Sequence, residues 1–285
     1  MKSNFIFRKI IVFNTLFFLC ITTILPNLLI VLISFTQRDP EHLLNFNFTL
    51  ANFAQAFSPI FLRVYINSMA IGVVTVLFCL LFGYPFAYFI YMEKSNAIKS
   101  ILLIAIIIPF WTSSLIRTYS IIFILKLHGL LNNILLYIGI IDTPLNMLYD
   151  WGAVIFGFVY TLIPFMIIPI YLSLRKIDPA LIEAAKDLGA SKLRIFSKIL
   201  LPLSYTGVVS GCSMVLLSSL GMFYLSDLLG GSKTVLIGNI IKNQFLLLDN
   251  WNLGGAISVL LYFIVIFWIM LQKENYKLSS YAGNR

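Results

Sequence analysis

The chain is 285 residues long, 60% hydrophobic and only 11% charged, with a formal net charge of +9 at pH 7 and a mean hydropathy of +0.96. A soluble domain carries about 25% charged residues, so this composition cannot coat a water-facing surface, and soluble enzymes and nucleic-acid-binding domains are excluded. What remains is an all-α integral membrane protein, whose crossings are marked by apolar runs of about eighteen residues or more.

Six spans are predicted, near residues 10–35, 66–92, 100–125, 151–174, 203–225 and 254–271. All are read as helices, because barrel strands alternate apolar with polar residues and are about half as long. The first has the basic flank Lys2, Arg8 and Lys9, yet its apolar run is too long for a secretory signal. No small-x-small cleavage site follows it before Gln37, so it is expected to be a retained helix. Pro26 lies in span one, Pro85 in span two, and Pro109 with Arg117 in span three. In "LHGLLNNILLYIGI" the residues Leu127, Leu130, Leu131, Ile134, Leu135 and Ile138 keep helical spacing over a length too short to cross. Span four, "LIPFMIIPIY", contains Pro164 and Pro169, which predicts an element that kinks and bends. Span five holds Gly207 and Gly211 as G-x-x-x-G, a pattern for close helix contact. "VLIGNIIKNQFLLL" forms a second short helix with Ile237, Ile240, Ile241 and Phe245 on one face; both short helices either dock a partner or cap the bundle. Cys20, Cys79 and Cys212 fall inside spans as packing residues, and His42 and His128 stand alone in outer loops. Neither a disulfide framework nor a metal site is predicted.

Placing the N-terminus in the cytoplasm puts fourteen of the twenty Lys and Arg on the inner segments 1–9, 93–99, 175–202 and 272–285. Basic residues concentrate on the cytoplasmic side of membrane proteins, so both termini are expected inside and the net charge is mostly a topology signal.

One inner segment, "PALIEAAKDLGASKLRIFSKILLP" at 179–202, breaks the apolar pattern. Asp178 stands at an N-cap position and Pro179 at the first helical position. Leu181, Ala184, Ala185 and Leu188 then mark an apolar face, and Gly189 a helix stop. Ser191 caps a second helix with Leu193, Ile195, Phe196, Ile199 and Leu200 on its apolar side, and Pro202 marks the return to the membrane. A connector resting on anionic lipid accounts for Lys192, Arg194 and Lys198. It does not account for the smooth Ala-Ala and Gly surface, which suits another protein's groove.

Glu183-Ala184-Ala185, Gly189, Ile199, Leu201 and Pro202 together reproduce the pattern E-A-A-x3-G-x9-I-x-L-P. In this the chain resembles the permease subunits of bacterial binding-protein-dependent ABC importers. The resemblance implies a type I importer fold with six transmembrane helices, five of them over residues 60–272, with the EAA loop at 175–202. A first helix and periplasmic loop over 1–59 would precede it, and a cytoplasmic tail over 273–285 would follow. It also implies that 179–189 is the coupling helix, so that Glu183, Ala184, Ala185, Gly189, Leu201 and Pro202 serve coupling to an ATPase. Further stretches, among them "GYPFAYF", "IPFWTSSLIRTYS", "DTPLNMLY" and "SDLLGGSKTVLIGNIIKNQF", resemble the B-type permease subunits of spermidine/putrescine importers. The implied partners are a second related permease subunit, two ATPase subunits, a periplasmic polyamine-binding protein and the lipid of the bacterial inner membrane.

The chain shows no phosphate-binding G-x-x-x-x-G-K-[ST]; the nearest run, "GGSKT" at 230–234, falls on the outer side. It is therefore expected to be a non-catalytic subunit with no cofactor of its own, ATP and Mg being bound by the partner ATPase. The alternatives are a permease for another small solute, an ATPase-independent secondary transporter, and a membrane enzyme. The second usually carries coupling carboxylates near the midplane, whereas every Asp and Glu here falls in a loop or at a span end. No cluster of catalytic or metal-ligating type marks the third. A flexible polycation is held by carboxylates and aromatic faces, which singles out Trp111, Tyr119, Tyr160, Tyr224 and Asp227 as the substrate path. The other role for these aromatics is anchoring at the membrane interface. Arg117 would repel such a cargo unless paired, for instance with Asp142 or Asp150.

Overall fold

The computed structural model describes residues 2–38 and 47–282, so His42 lies outside the described residues. In chain order the helices are α1 (Lys2–Leu19), α2 (Leu25–Ser34), α3 (Ala51–Ala56), α4 (Pro59–Met92), α5 (Asn96–Ile107), α6 (Ser114–Leu125) and α7 (Leu130–Tyr137). There follow α8 (Trp151–Leu174), α9 (Pro179–Asp187), α10 (Lys192–Ile195), α11 (Leu201–Leu203), α12 (Tyr205–Gly221), α13 (Phe223–Gly230), α14 (Ile237–Leu246) and α15 (Trp251–Ala282). Among the described residues five helical stretches are long and apolar enough to cross a membrane: Ile11–Ser34, Pro59–Met92, Ser114–Tyr137, Trp151–Leu174 and Trp251–Met270. The pair Lys192–Leu203 and Tyr205–Gly221, bent by 67°, is long and apolar enough only when its two parts are taken together, and makes six if counted as one span.

Two spans depart from expectation. The third, expected as one helix over 100–125, is displaced. The stretch long enough to cross is Ser114–Tyr137, which takes in the helix α7 expected to be too short to cross, and Asn96–Trp111 is a separate, shorter apolar stretch. α5 tightens into a 3-10 turn at Ile108–Trp111 and α6 starts only at Ser114. Pro109 lacks the N–H that would continue the α-helical ladder, and the chain leaves helical geometry at Thr112. The fifth, expected over 203–225, starts at the bend and gives way at Met222 to the separate helix α13. The fourth span, α8, is one continuous helix with Pro164 and Pro169 inside it.

Two prolines sit behind π-turns. Cys20–Ile24 precedes Pro26, with the Leu25 N–H reaching back to the Cys20 carbonyl. Phe196–Leu200 precedes Pro202, with the Leu201 N–H reaching back to Phe196. A proline ring collides with the carbonyl four residues earlier, and widening the preceding turn relieves that collision.

The chain divides into two compact units, residues 1–63 with 240–268, and residues 64–239 with 269–285. In the first, Asn252 clamps the end of α2. Its amide nitrogen donates to the carbonyls of Ile33 and Thr36 and to the Thr36 hydroxyl, at 3.1, 2.9 and 2.8 Å. In the second, α8 is the central helix. Phe158, Leu162, Met166, Ile170 and Leu174, spaced four apart, form a fully buried stripe. In a bilayer such a stripe gains from close packing rather than from escaping water, and α12 comes close because of its glycines. A Cβ at Gly207 would lie 2.5 Å from the Pro169 carbonyl oxygen, and one at Gly211 would lie 3.3 Å from the Met166 Cα. The G-x-x-x-G pair is thus the seam between the fourth and fifth spans.

Candidate functional site: the loop between spans four and five, and the broken third span

The loop after α8 folds through local chemistry. The Asp178 carboxylate accepts the Ala180 N–H at 3.0 Å, capping α9 with Pro179 at its first position. At the other end Gly189 has φ +77°. The Gly189 N–H bonds the Lys186 carbonyl at 2.9 Å and the Ala190 N–H bonds that of Ala185 at 3.0 Å, which together make a Schellman stop. A Cβ at Gly189 would meet nothing within 4 Å, so the glycine is required by its backbone angle and not by space. Ser191 then accepts the Arg194 N–H at 3.4 Å and starts α10. Cap, stop and cap were all expected from the residues.

The face these helices bury differs from the expected one. On α9 the buried side chain is Ile182, with Ala185 half-buried beside it, whereas Leu181 is 51% and Leu188 88% exposed. On the following helix Ile195 and Leu200 turn inward, while Leu193, expected with them, is 76% exposed. Glu183, Ala184, Gly189, Leu201 and Pro202 are exposed as well. An inner stripe therefore holds the loop to the core. Leu181, Leu188 and Leu193 are apolar and uncovered among the described residues.

The loop is joined to the spans at Ser204, the point of the bend. The Ser204 hydroxyl donates to the Leu200 carbonyl at 2.6 Å, so the 2.9 Å contact with Tyr84 of α4 is donated by the tyrosine. The Tyr84 ring also packs edge-on against Phe196 at 5.3 Å. This buried joint was not legible in the sequence, because a serine and a tyrosine 120 residues apart carry no local signal.

The broken span presents the other set of candidates. Trp111, at the end of the 3-10 turn, is 86% exposed, and Tyr119 and Tyr160 are exposed on α6 and α8. Tyr224 and Asp227 are half-buried on α13. The helices α6, α8 and α13 pack on one another, but Trp111, Tyr119, Tyr160 and Tyr224 share no ring contact or hydrogen bond with each other. Asp227 accepts a hydrogen bond from Asn239, whose amide also accepts from Ser226 at 2.7 Å and from the Leu236 N–H at 3.0 Å. Its carboxylate is therefore engaged in holding the turn after α13. Asn132 does similar work after α6. It is fully buried on the short helix α7, exchanging hydrogen bonds with the Leu145 backbone at 2.9 Å. Sequence reasoning assigned that helix an apolar inner face and missed this asparagine.

Arg117 pairs with neither Asp142 nor Asp150, contrary to the suggested pairing. Its guanidinium carbon lies 5.7 Å from the centre of the Phe110 ring, and its buried Nε has no hydrogen-bond partner. Among the described residues no group of three His, Cys, Asp or Glu is placed to hold a metal ion.

Residues 81–272 match the family described as binding-protein-dependent transport system inner membrane component. The chain is 41% identical over 285 residues to the spermidine/putrescine transport system permease protein PotB of Salmonella typhimurium strain LT2, covering 98% of this chain and 99% of that one. It is 42% identical over 260 residues to the protein of the same name from Escherichia coli K12, covering 90% and 94%. Among solved structures, a bacterial alginate ABC transporter in complex with a periplasmic protein bound to an alginate pentasaccharide aligns with a TM-score of 0.74. The identity there is 18%, with 95% of this chain and 93% of that chain covered, so this likeness concerns the fold.

Proposed function

We propose, for a chain that belongs to the binding-protein-dependent transport system inner membrane component family, the role of polyamine-conducting permease in a bacterial ABC importer. The protein is a multi-pass inner-membrane permease subunit, and spermidine and putrescine are its cargo. The observation that carries the reading is identity of about two residues in five with spermidine/putrescine permeases along nearly the whole chain, joined to an EAA loop whose outer apolar face is bare.

The mechanism follows from that geometry. A partner ATPase, one of two, binds the exposed face of α9, with Leu181 and Leu188 as apolar anchors and Glu183 as a charged contact. ATP and Mg belong to that partner. When the ATPases close, α9 moves as a rigid piece, because its ends are capped and its inner stripe is packed. The bend at Ser204 and the glycine seam between α12 and α8 pass the displacement into the spans, switching the permease between two packings. A second related permease completes the path, and a periplasmic binding protein delivers the polyamine to it. Trp111 offers an aromatic face to the ammonium groups. It stands in the irregular segment that joins the apolar stretch Asn96–Trp111 to the crossing stretch Ser114–Tyr137. Tyr119, Tyr160 and Tyr224 line the same region, and Asp227 shapes it through Asn239.

The deciding experiment is uptake of labelled spermidine and putrescine in cells that lack their own importer and are given this chain with its partner subunits. Saturable, ATP-dependent uptake is expected; none with a full set of partners overturns the substrate. Orientation has its own test. With Cys20, Cys79 and Cys212 replaced, cysteines at Ser191 and Lys233 should label from opposite faces of the membrane. Labelling of both from outside in intact cells would sink the cytoplasmic placement of the loop.

A further inference from the structure

A cavity of about 870 Å³ lies between the turn after α4 and the start of α9. Lys94, Lys99, Arg175 and Lys186 line it, with Glu93 and Glu183 as its only carboxylates. Glu93 is committed elsewhere, since its Oε1 accepts the N–H groups of Lys94 and Ser95, both at 2.9 Å. Four cations against two carboxylates leave the cavity lining with a net positive charge, and none of the four makes an ion pair among the described residues.

Its surroundings are those of a span end. Asn96, Lys99, Ser100 and Leu103 of α5 turn toward the cavity, which is one face of the helix. Further along and beside the same face, Ile104 and Ile107 of α5 are exposed and apolar, and Met92 is exposed at the turn. Cationic groups and hydroxyl donors in a hollow, with an apolar track leading away along one helix, match a molecule that has an anionic head and hydrocarbon tails. Basic pockets between membrane helices on the cytoplasmic side take lipid phosphates in this way.

We infer that this cavity binds the phosphate of an anionic phospholipid from the cytoplasmic leaflet, with its acyl chains against Ile104 and Ile107 of α5. The inference rests on the cytoplasmic placement of the EAA loop argued above. Because Lys186 and Glu183 belong to α9, whereas Lys99 and Arg175 belong to span ends, the headgroup bridges the coupling helix to the spans it moves. Energy transfer then depends on the charge of the leaflet.

The test uses the assembled transporter in nanodiscs of phosphatidylcholine with and without phosphatidylglycerol, the bound lipid being read by native mass spectrometry. The native complex should retain phosphatidylglycerol. Each basic residue near an anionic surface contributes about fivefold in affinity, so Lys94→Gln with Lys99→Gln should weaken retention by more than about tenfold and leave the ATPase bound. Lys94→Gln alone, at an exposed position, should show a smaller loss in the same direction and guards against a folding artefact. Equal retention by native and doubly substituted complexes overturns the inference. So does full displacement by millimolar inorganic phosphate, which would make the cavity a site for free anions. Loss of the ATPase with unchanged lipid retention would make it a protein-docking contact and overturn it too. None of these readouts uses transport, so failed polyamine uptake and a failed lipid site are separately recognisable.

Discussion

The EAA loop and the break in the third span both interrupt helix, and they do so in opposite ways. In the loop almost every interruption is closed locally: Asp178 caps one helix, Gly189 stops it, and Ser191 caps the next. At the break, Ser113 makes no side-chain cap for α6, and the local closure is Thr112, whose N–H and hydroxyl bond the Pro109 carbonyl at 3.3 and 2.8 Å. The loop satisfies its own backbone and leaves Leu181, Leu188 and Leu193 exposed. The break leaves the Trp111 ring exposed and, further along in α6, an arginine, Arg117, whose buried Nε has no hydrogen-bond partner. In the proposed mechanism the first is the part that transmits force and the second the part that meets cargo.

The sharpest way to break this comparison is to charge the loop's outer face. Leu188→Glu alters a side chain that is 88% exposed, so thermal stability should change by less than about 0.5 kcal/mol. If Leu188 is a docking anchor, association with the ATPase should weaken by about 2 kcal/mol or more, the scale of an interface hot spot. Titration of detergent-solubilised permease with the ATPase reads this. Unchanged association would show that the bare face is not the dock.

Next comes the stop itself. Gly189→Ala should cost about 1–2 kcal/mol, because a left-handed backbone crowds Cβ against the carbonyl. Gly189→Asn should recover much of that, since asparagine tolerates the conformation. Uptake and ATPase stimulation by the loaded binding protein should fall in the order Gly, Asn, Ala. An equal loss with both substitutions would point to a clash with the partner rather than to backbone strain.

Smaller effects are expected at the break. Trp111→Ala should leave stability and assembly unaltered and raise the KM for spermidine about two- to fivefold, the worth of one exposed cation–π contact. A stability loss without a KM change would make Trp111 an anchor. Arg117→Gln removes an unpaired positive charge from a path for cations and should lower the KM by less than about fivefold, because a screened repulsion is on the order of 1 kcal/mol. Uptake kinetics separate this from a structural role for Arg117, in which uptake would fall along with thermal stability.

The amino-acid sequence by itself determined the membrane class, four of the crossings in outline, and the caps and stop of α9 and the cap of α10. Each depends on interactions within one stretch of chain: hydrocarbon length against bilayer thickness, a side chain reaching its own helix end, or glycine at a positive φ. The E-A-A-x3-G-x9-I-x-L-P spacing belongs with these, because it lies within a single loop. Tertiary structure alone decided which side of α9 faces inward, since Leu181 and Ile182 are equally apolar and only the neighbouring core selects Ile182. It also decided that α8 stays one continuous helix through Pro164 and Pro169, that Tyr84 donates to Ser204 at the bend, and that Asn132 and Asn239 hold the turns after α6 and α13. The pairing of Arg117 was beyond sequence reasoning for the same reason. A charge in a span needs a partner in space, and among the described residues the ring face of Phe110 is the contact that Arg117 finds.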